Sequence, residues 1–455
     1  MSVEFQPIKR GLVLWLGAAI GACPQLGQAQ GLLDIYQKAK SQDAQYQIAR
    51  KSFNAALEKV PQARAALLPT ANLTGNKSRQ FGVASFSEAA YTDRDVQGMT
   101  WSVQVTQPLV RWANWVGYEQ ADAATRQAAE QLALAEQDLI VRVAQVYLDV
   151  LVSDQNTKVM QAQVQAMAEQ LALAERTYAV GSGTITDVYE AKSKWALSQA
   201  QSVSATNELA SKHAELEKIL GESLPLVSID LNKTLHNDLP GPATVQLDAW
   251  LAAAMQNPQV KVQQAALEVA RMEVRKSQAA HLPTLDLVLS RNGNYSSGSL
   301  SSPADLSTQV YSNQAGLQLN VPLFSGGATQ SKVRESLVLE EKAQDELTLT
   351  QRNVASQVRQ AYAGVVNGQA QVAALQMAAE AGRNAVESNK IGFRIGTRIN
   401  PDVLNAEQQL YATLRDLSKA RMETTMQGLK LKAAAGALTQ EDLATLDRLL
   451  EPTRP

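Results

Sequence analysis

The sequence is poor in cysteine and in aromatic residues, and neither sign of charge prevails. Its 455 residues include one cysteine, Cys23, so the chain can form no internal disulfide. Its 42 basic residues nearly balance 44 acidic ones and form no basic tract, so nothing favours nucleic acid as a partner. Aromatic residues make up 5% of the chain, a composition that suits long helices with narrow contacts better than a thick globular core.

The usual motifs of enzyme active sites are also missing. The three histidines, His213, His236 and His281, lie far apart and lack the spacing of metal ligands. The sequence has no GxSxG motif, no P-loop and no dinucleotide-binding fingerprint between a strand and a helix. We therefore expect a protein that is not an enzyme and that holds no cofactor or metal.

The chain begins with the pattern of an export signal. Lys9 and Arg10 precede an apolar run at residues 11–22, and a small-x-small cleavage site ends at Ala29. The run is too short for a membrane span, which needs about 20 residues, and no later run approaches that length. These features predict a signal peptide over residues 1–29. A lipoprotein signal that ends at Cys23 is the alternative, because residues 20–23 loosely fit a lipobox.

One turn-like stretch occurs twice, as VGSGTITDV at residues 180–188 and as IGTRINPDV at residues 395–403. Other landmarks recur in the same order, 214 positions apart: LPT at 68–70 and 282–284, QPL at 107–109 and VPL at 321–323, and DAQ at 43–45 and NPQ at 257–259. The recurrence predicts two structural repeats, residues 30–240 and 241–437, followed by a C-terminal tail at 438–455.

Each repeat has the same order of predicted elements. A helical pattern, at residues 32–67 and 245–280, leads into two alternating strands of about eight to ten residues, and the second of these helices breaks near Asn257-Pro258. Polar loops join the strands over about residues 78–98 and 291–309. Prolines mark the predicted junctions between strands and helices: Pro69, Pro108, Pro283 and Pro322.

A very long helix follows the second strand of each repeat. Residues 113–180 and 328–395 contain no proline, and at about 1.5 Å per residue each helix measures on the order of 100 Å. Helices this long need partners along their length in water. The shorter helices predicted at 32–67 and 186–220, stacked end to end, match the long helix. We expect one long rod beside two half-length rods in each repeat.

Four strands are too few to close a membrane barrel. The smallest outer-membrane barrels have about eight strands, and open edges are not tolerated in lipid, so several chains would have to share one barrel. Aromatic residues cluster at or just beyond the strand ends, as in a membrane girdle: Trp101, Trp112, Trp115, Tyr118 and Phe324. The alternatives are a soluble sheet on a helical bundle and a periplasmic coiled-coil scaffold without a pore. The export signal and the long helical rods favour the interpretation that the strands span a membrane.

With these features in the same order along the chain, the sequence resembles the TolC family of outer-membrane channel-tunnels. The resemblance covers the mature chain and rests on LLDIYQ at residues 32–37, ALLP at 66–69, TQPL at 106–109, VPLFSGG at 321–327 and the two turn-like stretches.

The resemblance implies a mainly α fold with a small β part. Three copies of the chain would form a homotrimer with a 12-stranded outer-membrane β-barrel on a periplasmic α-helical tunnel. Such a duct passively exports cargo that a periplasmic adaptor and an inner-membrane transporter deliver, in the outer membrane of a Gram-negative bacterium. We expect type I protein secretion; the alternative is the outer-membrane component of a multidrug or metal efflux pump.

The turn-like stretches also carry the candidate functional residues. By themselves, Asp187 and Asp402 suit the first turn of a helix, where a carboxylate favourably meets the helix dipole. Asn400 is a good N-cap and Pro401 a natural first-turn residue. Three glycines are expected to give the backbone the freedom to reverse direction: Gly181, Gly183 and Gly396.

The resemblance adds a gate to this capping role. It implies that Asp402 forms a ring of three carboxylates at the narrowest point of the tunnel, with Asn405 in the place of a second acidic ring. It also implies a latch in which Thr186 and Asp187 accept hydrogen bonds from arginines at Arg398 and Arg421. Phe393 stands where the family often has a tyrosine, so that hydroxyl bond is missing here.

Overall fold

A computed structural model describes residues 31–86, 90–222, 246–304 and 306–450. The predicted signal peptide with Cys23, His236 and the predicted repeat boundary at 240 lie outside these ranges. The first repeat contains α1 (Leu32–Gln42), α2 (Ala44–Leu57), α3 (Lys59–Ala65), β1 (Thr70–Ala84), β2 (Thr92–Val110), α4 (Trp112–Ala179) and α5 (Ile185–Leu220). The second contains α6 (Leu247–Ala254), α7 (Pro258–Ala279), β3 (Thr284–Ser296), β4 (Thr308–Asn320), α8 (Ala328–Arg394) and α9 (Asn400–Ala434), and α10 (Gln440–Leu450) follows.

The long helices α4 and α8 are the frame of the fold. They have 68 and 67 residues, and their ends lie within one residue of the predicted positions. Near the sheet, α4 packs against α1, α2 and α3, and near the turn it packs against α5. The helices α7, near the sheet, and α9, near the second turn, each pack against both α4 and α8. The prediction of long rods beside stacked half-length rods is therefore confirmed. No helix in the described ranges is long and apolar enough to cross a membrane.

The helix predicted at residues 32–67 is in fact three helices, and Asp43 causes the first break. The Asp43 carboxylate accepts a hydrogen bond from the backbone N–H of Tyr46 at 2.7 Å and so starts α2. It also forms a two-pronged ion pair with the guanidinium of Arg142 on α4, at 2.9 and 3.1 Å. A side chain that caps a new helix and pairs with a neighbouring one explains why the helical pattern is interrupted there.

Asn257 takes the same position in the second repeat, where the predicted break is confirmed. Its side-chain oxygen accepts from the backbone N–H of Gln259 at 2.7 Å and starts α7. Its amide nitrogen donates to the carbonyls of Ala433 and Ala434 at the end of α9, at 3.1 and 2.8 Å. Gly436 has a φ of +70°, and a Cβ there would lie 2.9 Å from the Asn257 Cα. Asn257 thus joins α7 to α9 end to end.

The four strands form one antiparallel sheet in the order β1-β2-β3-β4. They have 15, 19, 13 and 13 residues, so the predicted strand lengths were too short and the predicted loops too wide. The polar residues that suggested loops pair their backbones across the hairpins, because ladder hydrogen bonds do not depend on side-chain polarity. Across β1 and β2, Arg79 also binds Asp95 with a Nε–Oδ1 distance of 2.9 Å.

The junction between sheet and helices is held by an ion pair between the repeats. Pro108 lies inside β2 rather than at a junction, and the pairing with β3 shifts by one residue between Pro108 and Val110 because proline has no N–H to donate. Arg111 follows, and its guanidinium binds both carboxylate oxygens of Asp286 on β3 at 2.9 and 2.5 Å. Pro69 and Pro283 immediately precede β1 and β3, and Pro322 follows β4.

The largest apolar cluster lies where the first residues of α1 and the last residues of α5 both pack against the middle of α4. It includes Leu32 of α1, Leu148 of α4 and Leu220 of α5, all at most 1% exposed. The segment predicted as a tail contains α10, which adds Leu443 to this cluster, while the Asp447 carboxylate accepts from the backbone N–H of Leu32 at 2.7 Å. Residues from both ends of the described chain therefore meet in the main core.

The ion pair of Asp43 gives a pH-dependent stability. Burial raises the Asp43 pKa, but the hydrogen bonds from Arg142 and from Tyr46 N–H outweigh that effect and leave the pKa lowered. The pair therefore stabilises the fold above the ordinary aspartate pKa, and the contribution is lost as the pH falls from that value through the lowered pKa of the folded state. We expect Asp43→Asn to lower the free energy of unfolding at pH 7 by about 3 kcal/mol, as for a broken buried pair.

Thermal melts of Asp43→Asn beside Asp416→Asn, which removes an exposed pair with Arg415, measure this effect. The deficit of Asp43→Asn should shrink as the pH falls from 5 to about 3, because protonation of Asp43 in the unfolded chain then favours unfolding of the wild type. An equal deficit at both pH values would contradict the assignment.

Candidate gate at the two helix tips

The first tip is the turn that joins α4 to α5. The backbone N–H groups of Ser182 and Gly183 both donate to the carbonyl of Thr177, at 2.9 and 3.1 Å, which closes the end of α4. Gly181 has a φ of +74°, a left-handed conformation that only glycine adopts without strain. The chain therefore reverses direction within five residues.

The second tip, between α8 and α9, repeats this turn 215 positions later. The N–H groups of Thr397 and Arg398 both donate to the carbonyl of Gly392, at 2.9 and 3.2 Å. Gly396 has a φ of +80° and takes the place of the left-handed glycine. The two similar stretches of sequence thus encode the same backbone turn.

The tips differ in which side chain fills the inside of the turn. A Cβ at Gly183 would lie 2.8 Å from the hydroxyl oxygen of Thr177. In the second tip the glycine is at the other position, and a Cβ at Gly392 would lie 2.7 Å from the Cγ of Arg398. Gly183 is not among the glycines with a positive φ, so the expectation that it frees the backbone was wrong; its role is to leave room for Thr177.

The first tip has a complete cap. The Thr184 hydroxyl accepts from the Asp187 N–H at 3.2 Å, and the Asp187 carboxylate accepts from the Thr184 N–H and hydroxyl at 3.0 and 2.7 Å. Thr186 is exposed and lies between them in sequence. The Asp187 carboxylate therefore has hydrogen-bond donors within its own tip.

The second tip has only part of this cap. Ile399, which has no side-chain oxygen, occupies the N-cap position, and Asn400 is the first helical residue, so the expectation of an Asn400 cap was wrong by one residue. The Asp402 carboxylate accepts from the Ile399 N–H at 3.5 Å and lies 3.8 Å from the Arg398 guanidinium. The Asp402 side chain is 38% exposed, and Asn405 is exposed less than one turn further on.

Polar side chains are also buried along α9 at positions that differ by seven or fourteen residues. Asn400 and Glu407 are 2% exposed and Arg421 is 5% exposed. The Glu407 carboxylate binds the ammonium of Lys390 on α8 at 2.8 Å, and neither amide atom of Asn400 has a hydrogen-bond partner in the described chain. Arg421 lies about 30 Å along α9 from Asp402, at about 1.5 Å per residue, and is not part of the tip.

The sequence reasoning missed Glu407. The available signal was its position, since 400, 407 and 421 share one place in a seven-residue repeat where apolar residues are usual. Burial lowers the pKa of Lys390, but the Glu407 carboxylate outweighs that effect and leaves the pKa raised. Burial lowers the pKa of the Arg421 guanidinium. A further hydrogen bond, from the Lys194 ammonium to the Gln408 amide oxygen at 2.7 Å, joins α5 to α9 a few turns from the tips.

The structure therefore brings Arg398 and Asp402 together and keeps Asp187 with Thr184. Phe393 lies half-buried in the last turn of α8, next to Gly392. Within the described ranges no group of three or more His, Cys, Asp or Glu side chains could hold a metal ion. The tips present exposed carboxylate charge and one long ion pair, an arrangement that can attract cations.

Comparison with known proteins gives matches over nearly the whole chain. The family model described as outer membrane efflux protein matches residues 35–222 and 252–437. The proteases secretion protein PrtF of Dickeya chrysanthemi is 31% identical over 425 residues, which cover 92% of this chain and 91% of that protein. The alkaline protease secretion protein AprF of Pseudomonas aeruginosa is 31% identical over 445 residues, 95% of this chain and 90% of that protein.

A solved structure of CusC shares the fold. It superposes with a TM-score of 0.75 at 16% identity and covers 90% of this chain and 95% of that chain. At this identity the likeness shows the architecture and carries no information on cargo.

The unequal caps of the two tips can be measured. Thr184→Ala removes a hydroxyl cap and should lower the stability of the first turn of α5 by about 1 kcal/mol. Amide hydrogen exchange at residues 186–188 should speed up about fivefold in the variant, since that free energy governs local opening. Ile399→Ala, at the same position of the other tip, is the control and should change exchange at 402 and 403 by less than half as much, since Pro401 has no amide hydrogen. Equal effects at the two tips would contradict the described difference.

Proposed function

The chain belongs to the outer membrane efflux protein family, that of the TolC channel-tunnels, and we propose that it is the exit duct of a type I secretion system. As a member it is an outer-membrane channel of a Gram-negative bacterium with a large periplasmic part, and it is not an enzyme. Members of this family act as the outer-membrane component of tripartite systems with an adaptor and an inner-membrane pump. The feature of the fold that carries the proposal is a four-stranded sheet whose two edges are unpaired in the described chain, set on helical rods about 100 Å long.

The unpaired edges support a homotrimer in which the sheet enters lipid. β1 and β4 each have one edge without a pairing strand in the described chain, and lipid does not tolerate unpaired strand edges. Three chains with four strands each close a 12-stranded barrel. Every strand has at least 13 residues, more than the 9–11 that cross a membrane at a tilt of about 45°, so the hairpins project beyond the bilayer.

The second tip supports the gate. With three chains around one axis, Asp402 forms a ring of carboxylates at the periplasmic end, which attracts cations and repels anions. Asn405 adds a neutral polar ring. Asp187 is bound by Thr184 in its own tip, whereas the Asp402 carboxylate is shared with Arg398 and solvent. Asp402 is therefore the carboxylate that is available to a passing ion.

Arg398 supports a latch that opens easily. Its pair with Asp402 is exposed and 3.8 Å long, and such pairs contribute only about 0–1 kcal/mol, so exchange for other acceptors costs little. The acceptors within the family motif are Thr186 and Asp187 of an adjacent first tip, with Phe393 unable to add a hydroxyl bond. We leave Arg421 out of the latch, because it is buried about 30 Å from the tip.

The cargo proposed is an exported protein. The two relatives reported above, each 31% identical over nine tenths of their length, are both named for protease secretion. The description of the matching family model, an efflux protein, favours a second candidate, the outer-membrane component of an efflux pump. In cells that lack their own exit protein, restored secretion of a protease by its cognate adaptor and transporter supports the first, and restored drug resistance alone supports the second.

The gate is tested by conductance of the purified protein in planar bilayers, with Asp402→Asn beside Asp416→Asn. The wild type should give small, steady, cation-selective openings that divalent cations block. Asp402→Asn should weaken cation selectivity and divalent block by roughly threefold or more, because it neutralises the ring. Asp416→Asn is the control, since it removes an exposed carboxylate of the same helix about 20 Å from the tip, and should leave both unchanged.

Two results would overturn parts of the proposal. A stable trimer in detergent that never conducts would exclude the duct and favour a scaffold without a pore. Normal channels with equal selectivity in the wild type and both variants would keep the duct and restrict Asp402 to a cap.

A further inference from the structure

One face of the sheet is mostly apolar and yet carries cations. As far as the bulge after Pro108, the register pairs odd-numbered positions with odd-numbered positions, so these side chains share one face of all four strands. Most odd-numbered residues of the strands are apolar, whereas most even-numbered ones are polar. In an outer-membrane barrel the apolar face is the one that meets lipid, and we call it the outward face.

Lys77 on β1 and Arg291 on β3 are the equivalent cations of the two repeats on this face. They are 214 positions apart, the offset of the recurring proline motifs, and each is the eighth residue of its strand. Both strands run from the helices toward a hairpin turn. Because a strand crosses a membrane in about 9–11 residues, both cations lie near the outer edge of the apolar band.

The chain offers neither cation an anionic partner. Both side chains are exposed, and neither makes an ion pair or a side-chain hydrogen bond within the described ranges. The acids on the outward face of the four strands are Asp93 and Asp95, which lie closer to the hairpin turn, and Asp95 is bound by Arg79. An unpaired cation on a lipid-facing surface is unfavourable, so its partner is expected from outside the chain.

Trp101 lies between the two cations on the outward face. Lys77 is opposite Met99 and Arg291 is opposite Val103, the two outward neighbours of Trp101 along β2. At about 4.8 Å between strands and 3.4 Å per residue, the Cα atoms of the two cations are about 17 Å apart. Their long side chains can approach the indole from opposite sides.

The indole of Trp101 is held against the neighbouring strands. A Cβ at Gly293 of β3 would overlap the indole nitrogen, so the ring occupies the space that this glycine leaves. The ring of Tyr311 on β4 follows, with its centroid 6.4 Å from that of Trp101. Rings with an apolar body and a polar N–H or O–H suit the boundary between hydrocarbon and headgroups. They form a flat surface beside the cations, which fits a sugar ring.

We infer that the outward cluster of Lys77, Trp101 and Arg291 binds a glycolipid of the outer leaflet whose sugar headgroup carries phosphate groups. Lysine and arginine bind phosphate through charge-assisted hydrogen bonds. Lipopolysaccharide, the glycolipid of Gram-negative outer membranes, has such a headgroup in its lipid A part, with a phosphate at each end of a disaccharide. The inference rests on the proposed barrel, in which equivalent residues of the two repeats would lie at one height.

Binding of lipid A by the purified protein in a non-ionic detergent tests the inference. Native mass spectrometry measures the affinity for lipid A with both phosphates and for the same glycolipid without them. The phosphorylated form should bind the wild type roughly tenfold more tightly, because each basic residue near a membrane surface strengthens the attraction of anionic lipid. Lys77→Gln combined with Arg291→Gln should abolish this preference.

Two control variants make the result specific to these positions. Lys51→Gln with Lys192→Gln removes the same charge from exposed positions of α2 and α5 and should keep the preference. Lys77→Arg with Arg291→Lys keeps both charges on the outward face and should keep it as well. Melting curves without glycolipid should agree among all variants, since the substituted side chains are exposed.

The outcomes separate the lipid site from the duct. Equal affinity of the wild type for both glycolipids, or an unchanged preference after loss of Lys77 and Arg291, would overturn the inference. Full competition by inorganic phosphate would show a site for the free ion and would overturn the choice of a lipid. Normal conductance without the preference would keep the duct and overturn the site. A preference in a protein that never conducts would keep the site and exclude the duct.

Discussion

A helix about 100 Å long has no stability of its own in water and depends on neighbours along its whole length. That constraint decides the layout of this chain. α4 packs against α1, α2 and α3 near the sheet and against α5 near the tip. In the same way, α8 packs against α7 near the sheet and against α9 near the tip. Where one neighbouring helix ends and the next begins, the apolar side chains of the long helix could be left exposed to water. The two largest apolar clusters lie at these places, one around Leu148 and the other around Val354.

The tips show how a repeated backbone turn can carry unequal side-chain caps. Both turns use the same hydrogen bonds and a left-handed glycine at the same place. Thr184 satisfies the carboxylate of Asp187 locally, while Ile399 offers Asp402 only a backbone N–H. A single change from a hydroxyl to an aliphatic side chain thus separates a structural carboxylate from an available one. The room beside Gly392 then lets Arg398 fold back toward that carboxylate.

Much of this fold could be predicted from the sequence, because repetition marks its elements twice. The long helices, the tips and the break at Asn257 followed from proline-free stretches and matched landmarks. The break at Asp43 was missed, because aspartate inside a polar helical pattern gives no sign of the Arg142 that binds it. Strand lengths were underestimated because backbone pairing near Arg79 is independent of side-chain polarity. Glu407 was missed because its burial depends on a lysine from another helix.

The end-to-end joint at Asn257 has a mechanical consequence. α7 and α9 are separate helices held by two side-chain hydrogen bonds, whereas α4 and α8 beside them are continuous. This group of four helices bends most easily at the joint, because α7 and α9 can change their mutual angle there without breaking hydrogen bonds within either helix. The continuous helices α4 and α8 can curve only gently, so they resist a sharp bend at this position. A displacement of the tips is therefore expected to bend the helical bundle at the Asn257 joint rather than within α4 or α8.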